Sequence, residues 1–263
     1  MVKIMISIVC VYNNKKIFSD FLLKSLSNQT AKFELIGIDN TSSEFKSAAA
    51  ALNYGGKRAR NKYIMFVHQD VSFLPGSWLE DTERFLDSVS NLGIAGVAGM
   101  SESGSSNPER GRNIITHGNP SEFWPWGNRI QKPEPVQTLD ECLVIIPKST
   151  FDALEFDEKT CDGWHLYAVD YCLSANEMGF GVYVLPMEVY HLSSAVSKKK
   201  FQSLTGPLPD DYYETLDKLI KKHRSTFKRI YTTCGDWSAL FPAVFQRSYY
   251  MQRLIVYLEK LRH

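Results

Sequence analysis

No two cysteines in this chain are spaced Cys-x-x-Cys. The five present, Cys10, Cys142, Cys161, Cys172 and Cys234, are scattered and odd in number. That argues against a disulfide framework or a cysteine-ligated zinc site and fits reduced thiols in a cytoplasmic protein. Long apolar runs are also lacking. The stretch from Ile4 to Val11 is too short to span a bilayer, has no small-residue cleavage site and leads into Tyr12-Asn13-Asn14, so it reads as a first strand. Nor is there an excess of either charge. The 30 basic and 29 acidic residues leave a net charge of +1, so no global field favours nucleic acid. Internal repeats and low-complexity tracts are absent. With 44% hydrophobic and 22% charged residues over 263 positions, the chain can bury a sizeable core. Its length suits one large α/β domain, or such a domain with a helical appendage.

Hydrophobic periodicity alternates along the first hundred residues. Ile4–Val11, Phe33–Ile38, Tyr63–Val67 and Ile94–Gly99 read as strands; the spacing predicts helices over Phe18–Ser27, Ser43–Leu52 and Gly76–Ser88. The second helix would stop at Gly55-Gly56. This order implies a doubly wound, mostly parallel sheet with flanking helices. Residues 101–135, rich in Gly, Ser, Asn, Pro and Arg, form a long loop of the kind that is functional or disordered. A strand over Val136–Ile146, a helix over Asp162–Met178 closed by Gly179, and strands Phe180–Leu185 and Val189–Ser194 follow. From about residue 207 the chain is helical and amphipathic, through Tyr212–His223 and Tyr249–Leu261. The expected division is 1–205 for the main domain and 206–263 for a helical C-terminal extension.

The segment Val67-His68-Gln69-Asp70-Val71 holds the most chemical information. A buried strand runs directly into it, and open α/β sheets bind ligands at that edge. With a period of two, His68 and Asp70 point the same way if strand geometry persists, so they can share a divalent cation that holds a diphosphate. A capping Asp and a backbone-bonded His is the competing reading. His191, after a later strand, adds a third N/O ligand, a set that suits manganese or another first-row divalent metal better than calcium. Asp39 ends the second strand, as either a turn-former or an acceptor for a nucleoside edge or ribose hydroxyl. Trp124, Pro125 and Trp126 either anchor the long loop or close over a ligand. The basic run Lys57-Arg58-Ala59-Arg60 reaches phosphate with one side chain or is a solvated face, and Lys198-Lys199-Lys200 reads as a solvated face.

Several segments occur together in order: Ser7-Ile8-Val9-Cys10-Val11-Tyr12-Asn13-Asn14, Ile38-Asp39-Asn40-Thr41-Ser42, Leu52-Asn53-Tyr54-Gly55 with Ala59-Arg60, and Tyr63-Ile64-Met65-Phe66-Val67-His68-Gln69-Asp70-Val71. Further on come Leu139-Asp140-Glu141-Cys142-Leu143-Val144-Ile145-Ile146-Pro147, Phe156-Asp157, Val169-Asp170-Tyr171-Cys172-Leu173-Ser174-Ala175 and Val189-Tyr190-His191-Leu192-Ser193. In this order, over roughly residues 4–195, they resemble a family 2-type glycosyltransferase with the GT-A fold. The His-Gln-Asp and Gly163-Trp164-His165 regions are similar to a glycosyltransferase-like subgroup that includes streptomycin-biosynthesis-type proteins.

That resemblance implies a transferase using a nucleotide-diphosphate sugar, UDP-sugar favoured, with Mn2+ or Mg2+, and a saccharide or other small molecule as acceptor. It assigns donor contact to Tyr12, Asp39, Asn53, Arg60, His68 and Asp70, and metal ligation to Asp70, His191 and His68. Tyr167-Ala168 stands where family members carry the Glu-Asp pair that holds the catalytic base. The base then falls to Asp170 first, His165 second, or Asp162, since an inverting transferase needs a carboxylate or imidazole to deprotonate its acceptor. A GT-A-fold protein that binds nucleotide sugar without transferring it, as a scaffold, is the alternative. A nucleotidyltransferase is set aside because the first strand leads into Val11-Tyr12-Asn13-Asn14-Lys15-Lys16, with no glycine-rich loop. The C-terminal helices would cover the sheet, form a homodimer, or make peripheral membrane contact through Arg247, Arg253, Lys260 and Arg262 with Leu254, Ile255 and Leu258 between them.

Overall fold

The structure, a computed structural model, describes residues 5–118, 126–192 and 208–260. In chain order the first elements are β1 (Ile6–Tyr12), α1 (Lys15–Phe18), a π-turn at Ser19–Leu23, α2 (Lys24–Leu26), β2 (Glu34–Asp39), α3 (Ala48–Gly56), β3 (Tyr63–Val67), β4 (Val71–Phe73) and α4 (Trp78–Ser88). Next are β5 (Leu92–Gly96), β6 (Ala98–Met100), α5 (Asn107–Arg110), β7 (Gly111–Asn113), β8 (Ile115–His117), β9 (Glu134–Pro135), β10 (Thr138–Leu139), β11 (Leu143–Pro147) and α6 (Lys148–Ala153). The last are α7 (Tyr167–Glu177), β12 (Gly181–Val184), β13 (Val189–His191), α8 (Asp210–His223), β14 (Arg229–Thr232), β15 (Gly235–Ser238), a 3-10 turn at Ala243–Arg247 and α9 (Tyr249–Lys260).

Seven strands form the main sheet in the order β2-β1-β3-β11-β5-β12-β9. Five share one direction, while β11 and β9 run against their neighbours. The central strands are apolar without a break because both faces are covered. Ile6, Ile8, Cys10, Met65 and Val67 face one core with Leu22, Trp78 and Leu86. Val9, Ile64 and Phe66 face the other, with Leu52, Phe151, Phe156 and Tyr171.

Three expected elements change in ways that matter for function. The helix after β2 begins at Ala48, where Ser47 accepts a hydrogen bond from Ala50 N at 3.2 Å. Residues 40–46 instead form a loop, pinned by Asn40 Oδ1 accepting from Phe45 N at 2.8 Å. That helix ends at Gly56, where the glycine pair was expected to stop it. A Cβ on Gly56 would stand 2.3 Å from Phe151 Cζ, so the glycine serves close packing. Gly56→Ala is expected to cost about 1–3 kcal/mol, as overpacked cores do, measurable by urea denaturation.

The expected strand over Val136–Ile146 splits in two. Asp140 Oδ1 accepts from Cys142 N at 3.0 Å and turns the chain between β10, in a three-stranded sheet with β6 and β7, and β11. The expected helix over Asp162–Met178 starts at Tyr167, after Leu166 in the left-handed region at φ 64°.

Helix α7 is buried along Tyr167–Ala175 because it is covered twice. One face packs on the main sheet, and Leu166, Val169 and Leu173 share a third core with Tyr212, Leu216, Ile220 and Trp237. The C-terminal segment is therefore continuous in packing with the main domain, and the expected boundary at 205/206 lies outside the described residues. So do Trp124, Pro125 and Lys198-Lys199-Lys200. On α9, Tyr250, Leu254, Tyr257 and Leu258 are exposed, whereas Ile255 is buried. Among the described residues, no helix is long and apolar enough to cross a membrane.

Candidate functional site

Strand β3 delivers His68-Gln69-Asp70 to the carboxyl edge of the sheet. Gln69 clips this turn to the end of β1: its Oε1 accepts from Asn13 N at 3.1 Å and Asn14 N at 3.0 Å, and its Nε2 donates to Asn13 Oδ1 at 2.7 Å. Beside it, β4, β13 and β8 form a small sheet in which His191 pairs with Val71. That register sets His191 Nε2 3.2 Å from Asp70 Oδ1. One ligand atom each from His68, Asp70 and His191 lies within 4.8 Å of the others.

The charge state of the triad suits a cation. Burial, reinforced by the nearby His191, lowers the His68 pKa to about 4, so its imidazole is neutral at pH 7. Burial opposes ionisation of Asp70, but the His191 hydrogen bond and the His191 and His68 imidazoles hold its carboxyl below the usual range. Tyr167 Oη donates to Glu141 O at 3.0 Å and lies 3.1 Å from His68 Nε2. With its proton used on the carbonyl, the tyrosine accepts from His68 Nε2–H, which leaves His68 Nδ1 with a free lone pair. Supporting contacts of this kind orient metal-binding imidazoles. Tyr167→Phe is expected to weaken divalent-ion affinity roughly 10- to 100-fold with little change in Tm, checked by calorimetry and thermal melting.

A cavity of about 490 Å3 opens beside the triad. Val11, Phe45, Leu52 and Trp164 give it apolar walls, and Asn13, Asn40, Lys46, His68, Gln69 and Asp70 supply polar groups. Tyr12, Asp39, Asn53 and Arg60 are not among its lining residues. Tyr12 stacks on Phe18 at 4.3 Å. Asp39 takes Thr41 N at 3.0 Å and Lys15 Nζ at 2.9 Å, the geometry of a turn-former; Lys15 and Thr41 keep its carboxyl well below the usual range. Buried Asn53 locks α3 to the 156–158 turn through Phe156 O and Glu158 Oε1, both at 2.9 Å. The basic run takes protein partners too: Lys57 pairs with Glu155, Arg58 lies over the Tyr54 ring and Arg60 pairs with Glu34. Trp126, from the long loop, packs against the core that holds Ile6, Ile8 and Trp78.

The residues expected to supply a base fall on the α7 side. Asp170 is 1% exposed and is held by Lys222 Nζ at 2.8 Å and His223 Nε2 at 2.9 Å. This buried ion cluster keeps it from an acceptor. Asp162 pairs with Lys218 at 2.5 Å. His165 follows the cavity-lining Trp164, and its Nε2 stands 3.6 Å from Asp211 Oδ2.

Sequence reasoning gave no role to His117, Asp140 or Glu141. Burial works against ionisation of Asp140, but Cys142 N–H and the imidazoles of His191, His117 and His68 hold its carboxyl below the usual range. Burial and the Asp140 charge push the Glu141 carboxyl up to about 8, although backbone N–H groups at the start of α7 pull it down. A carboxyl raised on folding stabilises the fold fully below its ordinary value of 4.5, and that contribution is lost as pH rises through about 8. Wild-type stability is expected to fall between these limits by up to about 1.4 kcal/mol per pH unit. Glu141→Gln should flatten that slope in denaturation curves at pH 5, 7 and 9. The sequence signal for Asp140 and Glu141 was an acidic pair heading the segment Leu139–Pro147, and for His117 there was none.

Comparison with known proteins places this geometry. The model of a family described as "Glycosyltransferase like family" matches residues 6–205. A curated protein of Fuscovulum blasticum, "ATP synthase subunits region ORF 6", is 24% identical over 163 residues, 59% of this chain and 61% of that protein. Among solved structures, the mannosyltransferase PcManGT from Pyrobaculum calidifontis, in complex with GDP-Man and Mn2+, superposes with a TM-score of 0.55 and 11% identity, over 85% of this chain and 65% of that one. S. aureus TarS 1-349 in complex with UDP gives 0.53 and 16%, over 83% and 65%; the longer TarS structure gives 0.52 and 14%, over 83% and 39%. This chain thus spans less than two thirds of each of these relatives. The likeness establishes the GT-A fold.

Proposed function

The chain belongs to the glycosyltransferase-like family, and from that premise we propose that it moves a sugar from a nucleotide-diphosphate donor, UDP-sugar favoured, to a saccharide or other small acceptor. The observation that carries this reading is the cavity itself: His68 and Asp70 line it, and His191 completes a compact N/O triad beside it. Those three residues would hold a divalent ion, which when bound supplies charge neutralisation at the leaving diphosphate. Phe45 and Trp164 offer apolar surface to a nucleoside, and Lys46 offers a cation to phosphate. Since Asp170 is occupied by Lys222 and His223, the base role passes to His165, whose Nε2 has Asp211 Oδ2 3.6 Å away. Work in the cytoplasm, and a homodimer or peripheral membrane contact through the exposed side chains of α9, belong to the same proposal.

The test is release of UDP from a panel of UDP-sugars with divalent metal and candidate acceptors. Transfer or hydrolysis that His165→Ala abolishes supports the reading. A second reading, a nucleotide-sugar binder without transfer, is favoured by one observation: Tyr167 and Ala168 fill the slot of the usual acidic pair, and Tyr167 is tied to His68 and Glu141 O. Donor binding with no turnover on any acceptor would select it.

A further inference from the structure

His117 ends β8, a strand inside the region that reads as a long loop in the sequence. β8 pairs in parallel with β13, and His117 stands opposite His191 in register. In-register neighbours of a pleated sheet project from the same face, and the two imidazole centroids are 5.6 Å apart. Gly118 N extends this pairing by donating to His191 O at 3.1 Å, and on the other side of β13 Leu192 N donates to Asp70 O at 3.0 Å. One end of this three-stranded sheet therefore gathers Asp70, His191 and His117. His68 joins from β3, its centroid also 5.6 Å from that of His191.

Both ring nitrogens of His117, and Nδ1 of His191, are shielded from solvent and have no hydrogen-bond partner in the protein. Buried polar groups are nearly always satisfied, by protein, water or an ion. Two imidazoles bound to one ion at about 2.1 Å, with tetrahedral to trigonal angles, hold their centroids about 5–6 Å apart. Both observed spacings fall within that range. As placed, the His117 nitrogens stand outside the 4.8 Å cluster of His68, Asp70 and His191, but no hydrogen bond fixes the ring, so it can turn toward the triad without breaking one. The Asp140 carboxylate faces the same three imidazoles and adds negative charge behind them.

We propose that His117 is a fourth ligand of the divalent site formed by His68, Asp70 and His191, and that this three-imidazole, one-carboxylate set takes Zn2+ or Co2+ ahead of Mn2+ and does not retain Mg2+. The proposal rests on the transferase reading for the ion's role, though not for the donor set. Imidazole nitrogen suits the later first-row ions, and affinity rises along the series from Mn2+ to Co2+. Mg2+ demands octahedral oxygen ligands and parts with water reluctantly.

The test uses the full chain stripped of metal and free of nucleotide, titrated with Co2+ and followed by visible absorption. One Co2+ per chain should give the strong ligand-field bands of a four-coordinate site. Zn2+ should displace it, and a roughly hundredfold excess of Mg2+ should not. His117→Ala should weaken Co2+ binding about 100-fold, at or beyond the upper end of what losing an outer partner costs, and bleach the bands while the metal-free melting temperature holds. His117→Gln, which keeps polarity but not the imidazole, should show the same loss. Wild-type Co2+ affinity and spectrum in either variant, or displacement by Mg2+, would overturn the proposal. A separate titration of the Co2+-loaded protein with UDP-sugar keeps the two claims apart. An intact spectrum without nucleotide binding counts against the transferase reading alone, whereas nucleotide binding without a Co2+ site counts against this proposal alone.

Discussion

Asp70→Ala is expected to lower sugar-transfer turnover by at least about 1,000-fold, the scale of losing a principal electrostatic stabiliser in an active site. Asp70 is the single carboxylate of the triad, and it meets His191 at 3.2 Å while lining the cavity. Removing it takes away the one charged ligand and leaves only imidazoles to hold a divalent ion, with Asp140 behind them. The fold should persist, because the Asp70 side chain is only partly buried and its backbone carbonyl still receives Leu192 N–H. Turnover by nucleotide release, alongside a thermal melt, measures both. A variant that keeps turnover within tenfold of wild type removes Asp70 from the chemistry.

The second large effect is on stability. Asp170→Ala is expected to cost about 3–5 kcal/mol, as deletion of one partner from a buried ion pair does. The carboxylate is shared by Lys222 and His223, and His223 is fully buried with Glu177 on its other nitrogen at 3.1 Å. Asp157 also holds Lys222 at 3.0 Å, so the cluster joins α7, α8 and the 157 turn. Burial opposes the charge on Lys222, but Asp170 and Asp157 raise its pKa overall. Asp170→Asn should lose less, since one amide oxygen can still accept from either partner. If Asp170 is structural, the folded fraction of the Asn variant turns over at close to the wild-type rate, which denaturation curves and rates normalised to folded protein would show.

Much of the main sheet is legible in the sequence because its strands are continuous apolar runs: β1 and β3 are read almost to the residue, and the His68-Gln69-Asp70 turn with them. Register across distant strands is not legible. Nothing in the sequence brings His191 to Asp70 until β13 is paired with β4, or His117 to His191 until β8 is paired with β13. The break at Asp140 was hidden because Val136–Ile146 is apolar apart from a few residues, and only a carboxylate hydrogen bond to Cys142 N bends it. Asp170 reads as an exposed helix carboxylate until α8 arrives from fifty residues later with Lys222 and His223. Asn53 and Arg60 stand in motif positions, yet their hydrogen bonds go to Phe156 and Glu34.

The most direct test is calorimetry of UDP-sugar binding to the wild-type chain, with divalent metal and again after chelation. Saturable binding with one donor per chain in the presence of metal, lost on chelation and lost in Asp70→Ala, is the predicted result. Donor binding of equal strength with and without metal, or none under either condition, would contradict a metal-assisted nucleotide-sugar site at His68, Asp70 and His191.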